Sequence, residues 1–315
     1  MRRIDINTEQ RSYEAIIEPG ILRSAGNVLR ERIPSAKKVF CISVAKVRRL
    51  HGPALAESMK SAGLEYNVIE MLDGERFKRL STVDGLAEKL VKAGADRNSV
   101  VVALGGGVVG DVAGFLASIY MRGIPCVQIP TTFLAQVDSS VGGKTGVDLK
   151  AGKNLVGTFS QPYVVLIDPE VLSTLPERDF RAGLFESLKA GVICSNDVFS
   201  FMESNRDRIL RREPEALEWL IAESVRIKAE VVGKDEREAG LRRILSSILA
   251  LAALPPVDVR SRNILKRLGQ DKKTINGKVH FVLPVEIGKV EIVCDVPERA
   301  ILQSVEELRM MSHLA

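Results

Sequence analysis

The sequence is poor in the side chains that most often bind metals or stack on nucleic-acid bases. Of 315 residues, only three are histidine (His51, His280 and His313), and the aromatic residues are ten Phe, four Tyr and one Trp. No block of Lys and Arg is interleaved with these aromatics, although the net charge is +5 and the pI about 9.0. The pattern argues against nucleic-acid binding, whereas a diffuse positive charge suits a site for phosphorylated ligands.

Cysteine pairs and long apolar runs are also missing. Cys41, Cys126, Cys194 and Cys294 lie far apart and form no C-x-x-C pair, which predicts free thiols in a reducing compartment. No apolar segment follows the basic start of the chain, and no uncharged run reaches membrane-spanning length. We therefore expect a cytoplasmic protein without a membrane partner. The apolar content of 45% and charged content of 27% are typical of a globular enzyme.

The first half of the chain alternates strand-like and helix-like segments, which predicts a parallel sheet covered by helices. Strands are predicted at residues 38–43, 65–71, 99–104, 124–129 and 164–168, and helices at 53–63, 81–94 and 111–120, with Ser81 as an N-cap. Beyond Pro176 the pattern favours helices at 178–192, 215–234 and 297–313, with short strands at 279–283 and 289–294. The predicted fold class is an α/β domain with a parallel sheet, residues 1–170, followed by a mostly α-helical domain, residues 171–315.

A glycine turn follows the buried strand at 99–104. Gly105, Gly107 and Gly110 fit the spacing G-x-G-x-x-G, and a helix is predicted directly after them. Backbone N–H groups and the helix dipole hold a pyrophosphate in such a context, although an ordinary tight turn between strand and helix has the same pattern. The turn alone therefore leaves both interpretations open.

The loops after this turn are rich in glycine, hydroxyl and charged side chains. A nucleoside-triphosphatase loop is excluded, because Gly142-Gly143-Lys144-Thr145 would need glycine at position 138, where Asp138 stands. Lys144 and Lys153, together with Asn154 and Arg122, are candidates to neutralise a phosphate or carboxylate. Flanking glycines let the backbone approach such a ligand closely.

These motifs together resemble the 3-dehydroquinate synthase family, the sugar-phosphate cyclases of the shikimate pathway. The resemblance covers nearly the whole chain and is most specific at residues 136–145. The matching segments are residues 73–78, 105–111, 120–123, 130–132, 135–145, 152–154, 172–176, 183–189, 227–232 and 271–273.

The resemblance implies a lyase with an N-terminal domain that binds NAD and a C-terminal domain that carries metal and substrate residues. The implied reaction converts 3-deoxy-D-arabino-heptulosonate 7-phosphate to 3-dehydroquinate and phosphate. In it, NAD transiently oxidises a ring hydroxyl and a divalent metal, zinc or cobalt, acts as a Lewis acid. We also expect a homodimer.

The resemblance also assigns individual residues. The expected NAD site consists of Asp73, Gly74, Glu75, Lys78, Gly106, Gly107, Val108, Val109, Gly110, Asp111, Thr131, Thr132, Lys144, Lys153, Val171, Leu172, Ser173 and Thr174. The expected catalytic and substrate residues are Arg122, Asp138, Lys144, Asn154, Lys189, Lys228 and Arg242. Glu186 is the expected metal ligand, and its position three residues before Lys189 places both on one face of a helix.

The chain departs from the family pattern at the metal site. The family has a histidine-rich stretch after a Leu-Arg-x-Leu segment, whereas here Leu241 to Leu245 lead almost directly to Pro255 and Pro256. We therefore predict an internal truncation near residues 245–256, with none of the three histidines at a ligand position. A smaller departure follows the strand at 38–43, where Val44 and Lys46 replace an acidic and a polar residue of the family.

Three functions remain open on the sequence. The first is an active 3-dehydroquinate synthase. The second is a non-catalytic or degenerate family member that binds NAD or a sugar phosphate. The third is another chemistry on the same scaffold, either another sugar-phosphate cyclase or a glycerol-dehydrogenase-like alcohol dehydrogenase. The segments at Asp138–Ser140 and Asp271–Lys273 favour the first family over the third.

Overall fold

The computed structural model describes residues 1–236, 281–294 and 296–312. The chain divides into two compact units, which are described separately. The first comprises Met1–Ser187 and Phe201–Glu236. The second comprises Leu188–Ser200 and Arg237–Ala315, of which the structure describes 188–200, 281–294 and 296–312.

A seven-stranded sheet forms the centre of the first unit. The strands of this unit are β1 (Arg2–Asn7), β2 (Ser12–Ile17), β3 (Lys38–Val44), β4 (Glu65–Met71), β5 (Val100–Gly105), β6 (Cys126–Pro130), β7 (Lys144–Leu149), β8 (Gly152–Phe159) and β9 (Val164–Ile167). The sheet order is β1-β2-β9-β6-β5-β3-β4, in which every neighbouring pair is parallel except β1 with β2. Strands β7 and β8 form a separate antiparallel ribbon.

Helices cover both faces of this sheet. The helices are α1 (Ala25–Arg32), α2 (Ala45–Ser61), α3 (Leu80–Lys92), α4 (Gly107–Ile119), α5 (Glu177–Cys194), α6 (Asn196–Ser204), α7 (Arg206–Leu210) and α8 (Pro214–Lys234), and the residues of α5 and α6 are divided between the two units. Because successive strand residues point to opposite faces, Val39 and Cys41 pack with α1 and α2, whereas Phe40 and Ile42 pack with α3 and α4. Two buried layers therefore sandwich the sheet.

The connections of the sheet change direction between β3 and β5. From β3 the chain passes through α2 outward to β4, whereas from β5 it passes through α4 in the opposite direction to β6. Helices α2 and α4 lie on opposite faces and leave a crevice between them at the carboxyl ends of the strands. Open α/β sheets bind their ligands at such a switch point.

The second unit contributes a hairpin and a helix among its described residues. Strand β10 (Phe281–Glu286) pairs antiparallel with β11 (Lys289–Val293), and Gly288 supplies the left-handed turn with a φ of 85°. The Gly288 N–H donates to the Val192 carbonyl over 3.0 Å. Helix α9 (Glu298–Ser312) follows. None of the described helices is long and apolar enough to cross a membrane.

The predicted fold class is confirmed, and most predicted strands and helices appear within a few residues of their expected bounds. The prediction that a helix begins at Pro53 was wrong, because α2 begins at Ala45 and includes Pro53. Leu55 and Met59 are fully buried beyond the proline, so their packing offsets the lost backbone hydrogen bond. Ser81 is not an N-cap, since α3 begins one residue before it. The β1–β2 and β7–β8 pairs were not predicted.

Candidate active site

A cavity of about 500 Å³ lies at the switch point of the first unit. Its walls come from the ends of β3, β5 and β6, from the starts of α2 and α4, and from the segments after β4 and β9. The expected NAD residues that line it are Asp73, Glu75, Lys78, Gly106, Gly107, Val108, Val109, Asp111, Thr131, Thr132 and Thr174. The structure therefore brings together most of the dinucleotide site that the sequence resemblance implied.

The glycine turn allows close packing at this cavity. A Cβ atom at Gly107 would lie 3.0 Å from the Ser139 Oγ atom, and one at Gly106 would lie 3.0 Å from the Thr132 side chain. Helix α4 begins at Gly107, and Gly106 and Gly107 both line the cavity, so the helix N-terminus with its unpaired first N–H groups lies at the cavity wall. Gly110 serves packing instead, because a Cβ there would lie 2.8 Å from Gln128 Oε1. The turn is thus fitted for an anionic group.

A buried lysine connects three segments beside this turn. Lys78 Nζ lies 2.5 Å from Asp111 Oδ2 and donates to Asn154 Oδ1, also over 2.5 Å. Asn154 has a left-handed backbone with a φ of 53°, and its N–H donates to Asp148 Oδ1 over 2.8 Å. The Asp148 N–H in turn donates to the Lys78 carbonyl over 2.8 Å. This closed ring of contacts fixes the Lys78 ammonium at the cavity wall.

Burial raises the pKa of Asp111 to about 6, although the Lys78 ammonium acts in the opposite direction. The nearby carboxylates Glu75 and Asp138 raise it further, because they disfavour another negative charge. Glu75 is paired with Lys153 over 2.8 Å at the exposed rim. The site therefore contains a carboxyl group that titrates near physiological pH and a nearby fixed cation.

A second lysine and aspartate meet on the other side of the glycine turn. Lys228 of α8 lies 2.5 Å from Asp138 Oδ1, and the next residue, Ser139, lines the cavity. Asp138 belongs to a single π-helical turn at Ala135–Ser139, which directs its carboxylate toward α8. The two predicted substrate residues are thus paired next to the cavity.

Other predicted site residues lie elsewhere. Val171 and Leu172 are buried in the core, and the Ser173 Oγ atom donates a hydrogen bond to the Glu170 carbonyl. Gly74 lies in a turn with a φ of 109°. Lys144 is exposed on β7. Arg122 lies apart from the cavity, in a second cavity of about 400 Å³ at the start of β6, because the turn that carries it follows the far end of α4. Within one chain, the expectation that Arg122 shares the site is therefore not met.

Glu186, the predicted metal ligand, is half-buried on α5. Lys189 follows three residues later on the same helix, within the second unit, and is also half-buried. Arg242 and the predicted truncation lie outside the described residues. Within the described part of the chain, no three His, Cys, Asp or Glu side chains are grouped closely enough to hold a metal ion.

Sequence reasoning missed two residues of this site. His51 of α2 lines the cavity, and its Nε2 atom lies 3.0 Å from Thr174 Oγ1. Burial lowers the pKa of His51, which favours a neutral ring. The spacing of Val47, Leu50 and His51 on one helix face would have indicated this position if the start of α2 had been placed correctly. Asp148, which orients Asn154, had no local sequence signal.

Comparison with known proteins places the whole chain among similar enzymes. Residues 68–182 match the family described as 3-dehydroquinate synthase N-terminal, and residues 183–247 match 3-dehydroquinate synthase C-terminal. The 3-dehydroquinate synthase of Koribacter versatilis is 48% identical over 363 aligned positions, which cover 99% of each protein.

Two solved structures are similar over almost the whole chain. One is 2-deoxy-scyllo-inosose synthase complexed with carbaglucose-6-phosphate, NAD+ and Co2+, which is 25% identical with a TM-score of 0.83 and covers 97% of this chain and 100% of its own. The other is 2-epi-5-epi-valiolone synthase from Streptomyces hygroscopicus with NAD+ and Zn2+ bound, which is 25% identical with a TM-score of 0.79 and covers 96% and 99%.

Proposed function

The chain belongs to the 3-dehydroquinate synthase family, and we propose on that basis that it is a lyase that converts 3-deoxy-D-arabino-heptulosonate 7-phosphate to 3-dehydroquinate and phosphate. The observation that carries the proposal is the cavity at the switch point, where a glycine turn, the ring around Lys78 and the Asp138–Lys228 pair adjoin one another. A phosphorylated, hydroxyl-rich substrate needs such a combination of fixed cations and carboxylates.

NAD fits the residues that are present. The free backbone N–H groups at the start of α4 and the Lys78 ammonium would bind the pyrophosphate, and the cavity volume lies in the range of cofactor sites. When bound, NAD supplies a reversible hydride acceptor. Lys228 and Asp138 would then orient substrate hydroxyl and phosphate groups, and Asp111 can hold or release a proton near neutral pH.

A divalent metal does not fit the described residues. A catalytic zinc needs three protein ligands, whereas the described residues hold no group of three donors and Glu186 is one carboxylate. The whole sequence offers only three histidines as further nitrogen donors.

This mismatch favours a second candidate function, a family member that binds NAD or a sugar phosphate without turning it over. The alignment with the Koribacter versatilis enzyme spans 363 positions, whereas this chain has 315 residues, so at least 48 positions have no counterpart here. The match to the C-terminal family ends at residue 247, next to the truncation predicted at 245–256. Both observations support an internal loss in the domain that carries metal ligands.

Phosphate release separates the two candidates. The purified protein is incubated with the heptulosonate phosphate, NAD+ and either Zn2+ or Co2+, and released phosphate and bound metal are measured together. For an active synthase, Lys228→Met should lower phosphate release by about 100-fold or more, because a charged group that binds the reacting substrate is lost. Lys234→Met, on the exposed end of the same helix, is the matched control.

A folded protein that binds NAD+ and releases no phosphate with either metal would establish the non-catalytic function instead. We further propose that the protein is a cytoplasmic homodimer, which light scattering on the purified protein and cell fractionation would test. None of its four cysteines forms a disulfide, in keeping with a reducing compartment.

A further inference from the structure

A connecting loop, residues 140–143, joins two of the predicted substrate residues. It follows the π-helical turn that carries Asp138 and ends at Lys144, where β7 begins. In it, Gly142 and Gly143 have φ values of 108° and 66°. Such a backbone favours glycine, and glycine loses more conformational freedom on folding than any other residue. The connecting loop therefore needs contacts with other segments to keep one conformation.

Residues of β2 and of the segment after β8 supply these contacts. The Gly142 N–H donates to the Tyr13 hydroxyl over 3.0 Å, and the Ser160 N–H donates to the Gly143 carbonyl over 2.7 Å. The Gln161 side chain packs closely against Gly143, since a Cβ atom there would lie only 2.7 Å from Gln161 Cδ. Tyr13 and Gln161 are 5% and 6% exposed, so water is largely excluded from these contacts.

Gln161 is in turn held by a carboxylate from a distant part of the chain. Its Nε2 atom donates to Glu236 Oε1 over 2.8 Å, and Glu236 lies just beyond the end of α8. The other carboxylate oxygen, Glu236 Oε2, accepts the Glu9 N–H over 2.8 Å in the turn between β1 and β2. The Gln161 N–H donates to Gln10 Oε1 in the same turn over 3.2 Å. Glu236 therefore fixes Gln161 relative to the first two strands.

The hydrogen bonds to Glu236 favour its charged form. Burial acts to raise the pKa of Glu236, but the hydrogen bonds that it accepts from the Gln161 and Thr8 side chains and from two backbone N–H groups outweigh burial and lower the pKa. Hydrogen bonds to an ionised acceptor are stronger than those between neutral groups. The carboxylate is therefore a fixed acceptor that holds several segments together.

Helix α8 thus acts on the connecting loop from both sides. Lys228 pairs with Asp138 over 2.5 Å before the loop begins. Glu236, which follows eight residues later, acts on the other end of the loop through Gln161. Because the residue after Asp138 lines the cavity, a shift of the loop would alter both the cavity and the Asp138–Lys228 pair. Binding groups must be held to within about 0.5 Å of their productive geometry.

We propose that Glu236 is a positioning residue of this site, which acts through Gln161 to fix the connecting loop. In this way it places Asp138 and Lys144 for a sugar phosphate. This role rests on the proposed lyase function and its sugar-phosphate substrate. Glu236 itself neither contacts the substrate nor takes part in proton transfer.

Isothermal titration of the intact protein with the heptulosonate phosphate, without NAD+ so that no turnover occurs, tests this role. Glu236→Ala should raise the Kd about tenfold, because the loop loses its preorganised conformation. Glu236→Gln should keep the Kd within about twofold of the wild type. Gln161 Oε1 is buried without a hydrogen-bond partner, so a turned Gln161 amide can accept from the new side-chain amide. Glu230→Ala, at an exposed position of α8, is the matched control.

Hydrogen exchange and a milder variant distinguish positioning from a general loss of structure. Peptides that cover residues 140–161 should exchange faster in Glu236→Ala than in the wild type, whereas peptides of β5 in the core of the sheet should exchange equally in both. Tyr13→Phe removes the hydroxyl that accepts the Gly142 N–H and keeps the ring. It should raise the Kd about threefold, since one hydrogen bond to the connecting loop is lost.

An unchanged Kd or unchanged exchange in Glu236→Ala would overturn the positioning role. The same holds for a Kd of Glu236→Gln as high as that of Glu236→Ala, and for a wild type that does not bind the sugar phosphate. The lyase function is judged separately, by phosphate release. A protein whose binding of the sugar phosphate depends on Glu236 but that releases no phosphate refutes the lyase function and supports the positioning role, whereas equal phosphate release by the wild type and Glu236→Ala does the reverse.

Discussion

Two lysine–carboxylate pairs at the same cavity show how differently one type of interaction can be used. Lys78 and Asp111 lie 2.5 Å apart with side chains 5% and 22% exposed, whereas Lys153 and Glu75 lie 2.8 Å apart with side chains 71% and 45% exposed. The inner pair is shielded from water and screened little by salt, so each partner depends on the other. The outer pair is exposed to solvent, so Lys153 and Glu75 can each exchange the ion pair for contacts with water or a ligand. Burial, more than chemical type or distance, separates the two.

The largest expected effect follows from breaking the inner pair. Lys78→Met should lower the free energy of unfolding by about 3 kcal/mol, because it leaves Asp111 without its counter-ion in a low-dielectric site. The Asn154 side chain would also lose its donor. Urea denaturation at neutral pH measures the change, and Lys150→Met, an exposed lysine in the turn between β7 and β8, is the control. Equal free energies of unfolding for Lys78→Met and Lys150→Met would contradict the view that burial makes the inner pair important for stability.

The pH dependence of stability gives a second test of the inner pair. The pKa of Asp111 rises on folding from 3.8 to about 6, so the folded state binds this proton more tightly than the unfolded state. The resulting stabilisation is fully present below pH 3.8 and is lost as the pH rises through about 6.

The stability of the wild type relative to Asp111→Asn should therefore fall by up to about 3 kcal/mol between pH 4 and pH 7. Urea denaturation of both proteins across this range gives the difference directly. A difference that grows with increasing pH would mean that the pairing with Lys78 outweighs the cost of burial. Folding would then favour the charged form of Asp111 over the neutral form.

The same contrast shows what the sequence could and could not predict. The parallel sheet and the glycine turn follow from local patterns, because Val100–Leu104 is an apolar run that begins with three β-branched valines and is followed by glycine. Flanking glycines suggested Lys144 and Lys153 as ligand-binding residues, yet both are exposed. Lys78 has no such local signal, and only the resemblance to the family named it. Its burial depends on α4 and on the β7–β8 ribbon, which are distant in sequence.

The pairing of strands that are distant in sequence could not be predicted either, because it also depends on tertiary contacts. Strand β2 joins the sheet beside β9, about 150 residues later in the chain, and such a pairing leaves no periodicity in either segment alone. Likewise, the proline in α2 suggested a helix start because local propensity disfavours an internal proline. Packing of both halves of the helix on the sheet outweighed that propensity. Tertiary contacts, rather than residue preferences, account for these differences.

The smallest expected effect belongs to the outer pair. Lys153→Met should change the free energy of unfolding by less than about 1 kcal/mol, and this difference should shrink further in about 0.5 M NaCl, because solvent and salt already screen the pair. Urea denaturation at low and high salt measures both the change in the free energy of unfolding and its salt dependence. The variant should nevertheless raise the pKa of Asp111, since Glu75 already disfavours the charged form and would lose its own partner. A stability loss as large as that of Lys78→Met would show that the two pairs act as one network and that burial does not separate them.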